Sequence, residues 1–258
     1  MTQPEVDGQT GAPLVLLQVE AGLATIVLNR PERKNAIIGP LSDALAAAFN
    51  EASDRDDVEA VLLHGAGGGF CSGLDLKEYN ADPPPDWITT ASASFAAAHR
   101  AIAECPVPVV GALERFAING GAGLALACDL LVAGDGAFLQ VGEVRQGMPA
   151  AMNLAWLSGR HPVSVIHQIT FTGRRFHGPD LHRLGIALDV VPDDEVLEAA
   201  QSLALEIAGF PSAAGRTMKE HAVGMVTGSG VDAVTSANRI DRGAALLAEA
   251  GRLRPGRA

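Results

Sequence analysis

Cysteines and basic residues are both scarce in this 258-residue chain, and each scarcity excludes something. The three cysteines, Cys71, Cys105 and Cys128, are an odd and sparse set. They supply no disulfide framework, which fits a reducing compartment, and their spacing matches no zinc site. Lysine and arginine number 19 against 30 aspartates and glutamates, a net charge of −11. A nucleic-acid partner, which needs a basic face, is therefore not expected. No apolar run reaches membrane-spanning length, and residues 1–13 have neither the basic start nor the apolar core of a secretion signal. The expected location is cytoplasmic, with no membrane contact. The seven histidines contain no pair at the i, i+4 spacing of a helical metal site, so no metal is expected. After the first strand no G-x-G-x-x-G run is followed by an acidic residue about 20 positions on, which argues against a dinucleotide-binding oxidoreductase.

What remains is a chain that is 48% hydrophobic and long enough for one large domain. Residues 14–19 and 24–28 are apolar and β-branched, with a turn at Ala21-Gly22, and predict a hairpin. Residues 41–53 carry apolar side chains at helical spacing. Residues 58–63 and 107–113 predict strands buried on both faces. An alanine-rich helix is expected over 87–104, behind a rigid Asp82-Pro-Pro-Pro-Asp86 connection. Further strands are predicted at 130–133 and 186–191, with helices at 152–157, 162–171 and 179–183. From residue 193 only helical patterns follow, at 195–208, 212–226 and 232–250. Strands alternating with helices, then helices alone, indicate an α/β core with a helical C-terminal part. The expected organisation is a disordered tail over 1–13, a core over 14–192 and a helical region over 193–258.

Two glycine-rich stretches stand out. Asn119-Gly120-Gly121 opens a short apolar helix that ends at Cys128-Asp129. Gly67-Gly-Gly69 and Gly73-Leu74 follow the strand at 58–63. A helix N-terminus presents unpaired N–H groups and the positive end of a dipole, so such a turn fits a main-chain anion or oxyanion site. Taken alone, a Gly-Gly pair fits better a tight strand-to-helix turn that binds nothing. Glu143 follows the apolar run Phe138-Leu-Gln-Val-Gly142. A carboxylate there is expected to be partly desolvated, which raises its pKa and suits an acid–base role. Ser72 and Cys71 have no adjacent base to make a nucleophile. Asp129 and Glu114 read as structural carboxylates.

Several motifs in this order and spacing resemble the enoyl-CoA hydratase/isomerase (crotonase) family over about residues 14–220. They are Leu28-Asn-Arg-Pro-Glu-Arg-Lys-Asn-Ala36, Phe70-Cys-Ser-Gly-Leu-Asp-Leu76, Gly120-Gly-Ala-Gly-Leu-Ala-Leu-Ala-Cys-Asp129, Glu143-Val-Arg-Gln-Gly147 and Thr172-Gly-Arg-Arg-Phe176. The resemblance implies a crotonase-like ββα spiral core and a C-terminal helical trimerisation region, giving a homotrimer or homohexamer. It implies an acyl-CoA substrate in fatty-acid or related metabolism, with coenzyme A as part of the substrate and no separate cofactor. It places the oxyanion hole at the N–H groups of Leu74 and Gly120 and the acid–base group at Glu143. Coenzyme A contacts are implied at Arg33, Lys34, Ala36, Ser72, Leu74, Asp75 and Leu76. Asp75 is also expected to hold backbone groups of the glycine loop, and Arg30 and Lys77 add positive charge nearby.

The chain departs from the family pattern at three places. Gly123 stands where the hydratases carry their first catalytic glutamate. Gly142 replaces a common proline, and Gly147-Met-Pro149 is one residue tighter than usual. Leu246 and Glu249 occupy the positions of an aromatic and a lysine that touch the CoA adenine, with Arg252 and Arg254 as candidate substitutes. The expected activity is therefore single-carboxylate proton transfer, isomerase-like rather than an efficient hydration. The alternative is a catalytically lapsed acyl-CoA-binding paralogue. The apolar faces at Leu203, Ile207, Val223, Val226, Leu246 and Leu247 are expected to be shared between subunits.

Overall fold

The computed structural model describes residues 12–211, 214–220 and 236–252. Residues 1–11 of the expected tail over 1–13, Val223, Val226, Arg254 and the side chains of Glu249 and Arg252 lie outside the described residues. Strands β1 (Val15–Glu20) and β2 (Leu23–Leu28) form the predicted hairpin, turning at Ala21 and Gly22, where φ is 51° and 80°. They continue into a six-stranded sheet in the order β1-β2-β3-β4-β6-β9, with β3 (Ala60–Gly65), β4 (Val109–Leu113), β6 (Leu130–Gly134) and β9 (Asp189–Val191). All pairs beyond the hairpin are parallel. The inner strands are apolar at nearly every position because both faces are covered.

The side-chain alternation of β3 shows the two faces. Val61 and Leu63 point into the larger core, with α1 (Gly39–Ser53) and α3 (Ala91–Glu104). Ala60 and Leu62 point the other way, against Val196, Ala200 and Ala204 of helix α8 (Val196–Ala208), all fully buried. Leu203 and Ile207 are partly buried against this same face. This corrects the expectation that they serve a subunit interface: α8 spends its apolar side on its own sheet. Residue 193 is thus the end of the strands but not the edge of the core.

A second sheet, not anticipated from the sequence, has the order β5-β7-β8, with β5 (Phe116–Ile118), β7 (Phe138–Gln140) and β8 (Arg175–His177). Its strands are three residues long, too short to show a period of two. Each turn of the chain gives a strand to the first sheet, a strand or bridge to the second layer, then a helix. Thus β4 leads to β5 and α4 (Gly120–Ala127), and β6 leads to β7 and α5 (Ala151–Arg160). The first turns supply single bridges instead, Ile37 to Leu74 and Cys71 to Ala117. This is the ββα spiral. The remaining helices are α2 (Leu76–Tyr79), α6 (Val163–Thr172) and α7 (Gly178–Arg183). The C-terminal helix Ser236–Arg252 packs along α3 and α5, with Ile240 buried and an ion pair from Arg100 to Asp241. Among the described residues no helix is long and apolar enough to cross a membrane.

Candidate active site

The two glycine loops meet backbone to backbone. Ile37 N–H donates to Gly73 O at 2.8 Å, and Asp75 N–H donates to Ile37 O at 2.9 Å. In a parallel bridge of this kind the residue between, Leu74, turns its own N–H to the opposite side. Gly73 has φ 85°, and a Cβ there would lie 2.6 Å from Ile118 O, so only glycine fits. The same Cβ position is 3.5 Å from Gly120 N, which fixes how closely the loops approach. Gly120 is the first residue of α4, so its N–H has no helical acceptor. Leu74 and Gly120 both line one mainly apolar cavity of about 230 Å³, together with Glu143, Phe95, Trp87 and Leu247.

The second sheet brings Glu143 to this pair. Ile118 is in register with Gln140, and Asn119 N–H donates to Gln140 O at 2.7 Å. Asn119 holds a positive φ of 51°, rare for a side-chain-bearing residue. Its side-chain Oδ1 accepts from Gly142 N–H at 2.8 Å. That bond gives a physical reason for Gly142, since proline at this position has no N–H to donate. A short 3-10 turn, Glu143–Gln146, follows directly. Asn153 on α5 then donates from Nδ2 to Glu143 Oε1 at 2.9 Å and to Asn119 O at 3.2 Å. Glu143 Oε2 is buried and has no hydrogen-bond partner among the described residues. Burial pushes the Glu143 carboxyl up to about 7, against the smaller opposing pull of its hydrogen bonds.

At Gly123, one turn into α4, there is no carboxylate. A Cβ there would lie 3.3 Å from His99 Cε1, 3.5 Å from His99 Nε2 and 3.7 Å from Asn153 Oδ1. His99 is fully buried on α3, and burial pushes its pKa down to about 3. A side chain at 123 would thus meet the imidazole at its first carbon.

Of the residues implied as ligand contacts, Ser72, Leu74, Leu76, Gly120 and Glu143 line the cavity, whereas Arg33, Lys34, Ala36 and Asp75 do not. Asp75 is a correction. It is 3% exposed and turned into the chain, where it pairs with Arg33 at 2.7 Å and Arg30 at 3.3 Å. Burial alone would raise its pKa, but Arg33 and the Glu78 N–H outweigh that and hold it below the ordinary value. It therefore caps α2 through Glu78 N and positions two guanidiniums, rather than holding the glycine loop or facing a ligand. Arg30 is likewise a buried structural cation, not a surface charge, and donates to Ala36 O at 2.7 Å. Lys34 is exposed, in the left-handed region at φ 55°, and its carbonyl receives Ser72 N–H. Cys71 donates its thiol to Asn35 O, and burial pushes its pKa up to about 12, so it is inert. Asp129 ties β4 to Arg160 and Lys219, a structural role. Glu114 is half-buried, with its pKa raised by burial, and is not among the cavity's lining residues.

Sequence reasoning missed Asn119, Asn153 and His99. His99 carried a readable signal: Phe95, Ala98, His99 and Ile102 share one helical stripe, so a histidine sits where the pattern demands an apolar residue.

The fold and pocket define a spiral α/β protein in which residues of two glycine loops and one desolvated carboxylate line an apolar cavity. The family model for enoyl-CoA hydratase/isomerase matches residues 18–240, and the chain belongs to that family. It is 32% identical to an enoyl-CoA hydratase of Alternaria alternata over 81% of this chain and 68% of that protein. It is 31% identical to the 1,2-epoxyphenylacetyl-CoA isomerase of Escherichia coli over 77% of each chain. Among solved structures, the carnitinyl-CoA hydratase of Mycobacterium avium superposes with a TM-score of 0.80 at 27% identity, covering 95% of this chain and 92% of that one.

Proposed function

We propose that the protein acts on acyl-CoA thioesters and moves a proton along the acyl chain through an enolate, with Glu143 as its single acid–base group. The thioester oxygen sits against the N–H groups of Leu74 and Gly120. As a proton leaves the carbon next to the carbonyl, charge develops on that oxygen, and each fixed donor contributes on the order of 3–4 kcal/mol to the transition state. The one observation that carries this reading is the unpartnered, buried Oε2 of Glu143 in the same cavity as those donors. It takes the proton from C2 of a 3-enoyl-CoA and returns it to C4, which shifts the double bond to C2–C3. Hydration needs a second group to share the work with Glu143, and Gly123 supplies none. The proposed chemistry draws on main-chain donors and one carboxylate, with coenzyme A as part of the substrate rather than a separate cofactor. Fatty-acid or related acyl-CoA metabolism is the matching context, in the cytoplasm.

The coenzyme is proposed to run past Ser72 and Leu76 toward Arg33, Lys34 and Ala36 at the cavity mouth. Assembly as a homotrimer or homohexamer is also proposed, now on Leu205, Phe210 and Met218, which are 40%, 55% and 65% exposed. A lapsed acyl-CoA-binding paralogue is the second reading, favoured by Gly123. The poised carboxylate at Glu143 weighs against it. The test is a crystal soaked with acetyl-CoA. The thioester oxygen is expected within hydrogen-bond distance of Leu74 N and Gly120 N; density for it elsewhere refutes the assignment.

A further inference from the structure

Asn119 and Asn153 close a ring of hydrogen bonds around the carboxylate. The Asn119 side chain accepts from Gly142 N–H at 2.8 Å, one residue before Glu143. Asn153 Nδ2 donates to Glu143 Oε1 at 2.9 Å and to the carbonyl of Asn119, one residue before Gly120, at 3.2 Å. Each asparagine thus bridges the loop that carries Gly120 and the turn that carries Glu143. The Asn153 amide is committed in this orientation. Turned over, it would set its oxygen against two oxygen acceptors. It keeps this orientation although Oδ1 then has no partner among the described residues. A buried amide normally satisfies both ends, so the two acceptors dictate how this one lies.

The mounting of Asn153 is rigid. It is 1% exposed on α5. Two turns further along the same helix, Arg160 donates to Leu126 O at 2.9 Å and to Ala127 O at 3.2 Å, the last carbonyls of α4. Helix α5 therefore holds α4 at both ends, by the carbonyl before its first residue and by those of its last turn. Trp156, between the two, lies beneath Arg160 and donates to His99 Nδ1 at 2.9 Å. An amide on such a helix has a fixed reach to the carboxylate it holds.

We propose that Asn153 is a positioning residue for the reaction, fixing Glu143 against the Gly120 loop and engaging Oε1 so that Oε2 carries the proton. This rests on the acyl-CoA function proposed above, and Asn153 acts in it through Glu143. A hydrogen bond to an ionised carboxylate also favours the ionised form. The amide therefore opposes the burial that pushes the Glu143 carboxyl up to about 7. One side chain sets both geometry and charge, and the two can be measured apart.

The test is the pH profile of double-bond migration in a 3-enoyl-CoA, for the wild type and two variants. Asn153→Leu keeps the side-chain volume, and Asn153→Ala serves if the leucine variant does not fold. Carbon NMR of labelled glutamate follows the Glu143 carboxyl alongside, its signal identified by its loss in Glu143→Gln. In both variants the carboxyl titration and the rate profile should move upward together by about one to two pH units, the effect of losing a hydrogen bond to a charged group. The rate at the high-pH plateau, where Glu143 is ionised in every variant, should stay about 10–10²-fold below the wild type, with KM nearly unchanged. A plateau equal to that of the wild type overturns the positioning role, whatever the midpoint. A lowered plateau with an unmoved midpoint overturns it too, since general loosening of the helix has that effect. If the wild type neither binds nor turns over acyl-CoA, the acyl-CoA reading falls, and the carboxyl titration judges Asn153 by itself. An upward shift then upholds its hold on Glu143, and an unmoved midpoint overturns it.

Discussion

The two walls flanking Leu74 and Gly120 in the cavity are built from the same kinds of parts and end differently. On the β7 side, a 3-10 turn presents Glu143, one oxygen held by Asn153 and the other without a hydrogen-bond partner among the described residues. On the α4 side, Gly123 presents no side chain, and a Cβ there would lie 3.3 Å from His99 Cε1. Asn153 touches both walls. The difference teaches that one wall carries a carboxylate where the other carries a buried imidazole. A Cβ at 123 would already lie 3.3 Å from His99 Cε1, so a longer side chain there requires the ring to give way.

The largest effect should come from removing the carboxylate that remains. Glu143→Gln should slow exchange of the C2 proton of an acyl-CoA by about 10²–10⁴-fold. Affinity for the thioester should stay close to that of the wild type. Proton NMR in deuterium oxide with calorimetric binding reads both quantities; exchange at the wild-type rate would remove Glu143 from its role.

Next is the attempt to make the two walls alike. Gly123→Glu alone should not raise crotonyl-CoA hydration, because the new Cβ already lies 3.3 Å from His99 Cε1. Adding His99→Ala to it opens space and should raise hydration by part of the 10²–10⁴-fold range typical of a positioned acid–base group. A single variant that outperforms the double one would show that the imidazole is not the obstacle.

Much of this was legible in the sequence. The hairpin, the parallel inner strands, the glycine loops and the carboxylate all left local signals: apolar runs, turn residues, a motif order. The second sheet left none, because strands of three residues have no measurable period, yet that sheet is what sets Asn119 and Glu143 side by side. Arg30 looked like a loop charge and Asp75 like a holder of the glycine loop's backbone, and only tertiary pairing shows them to be a buried brace. Leu203 and Ile207 looked like a shared surface because the sheet face they cover comes from strands far away in sequence.

A smaller effect should appear in the pH profile. Glu143 acts as a base only when ionised, so C2 proton exchange should rise with pH through about 7 and then level. A profile flat between pH 5 and 9 would show that Glu143 does not control the step.

The smallest effect concerns stability, and its sign is opposite. The folded-state pKa of Glu143, about 7, lies above its ordinary 4.5. The folded chain therefore binds this proton more tightly than the unfolded chain. The resulting stability is fully present below pH 4.5 and is lost as pH rises through about 7. Glu143→Gln abolishes that dependence. Its melting temperature should gain on the wild type as pH rises from about 4.5 to 7, by on the order of a few degrees. A constant difference across that window, read by calorimetric melting, would place the raised pKa elsewhere.

The central claim is that one carboxylate serves this pocket, and one assay addresses it most directly. Wild-type enzyme is given a 3-enoyl-CoA and crotonyl-CoA in parallel, with double-bond migration and water addition followed by mass spectrometry. Migration is expected in the ordinary enzyme range of about 1–10³ per second, with hydration slower by roughly 10²–10⁴-fold. Hydration in that ordinary range would contradict the claim and show that another group on the Gly123 wall does the work of the missing glutamate.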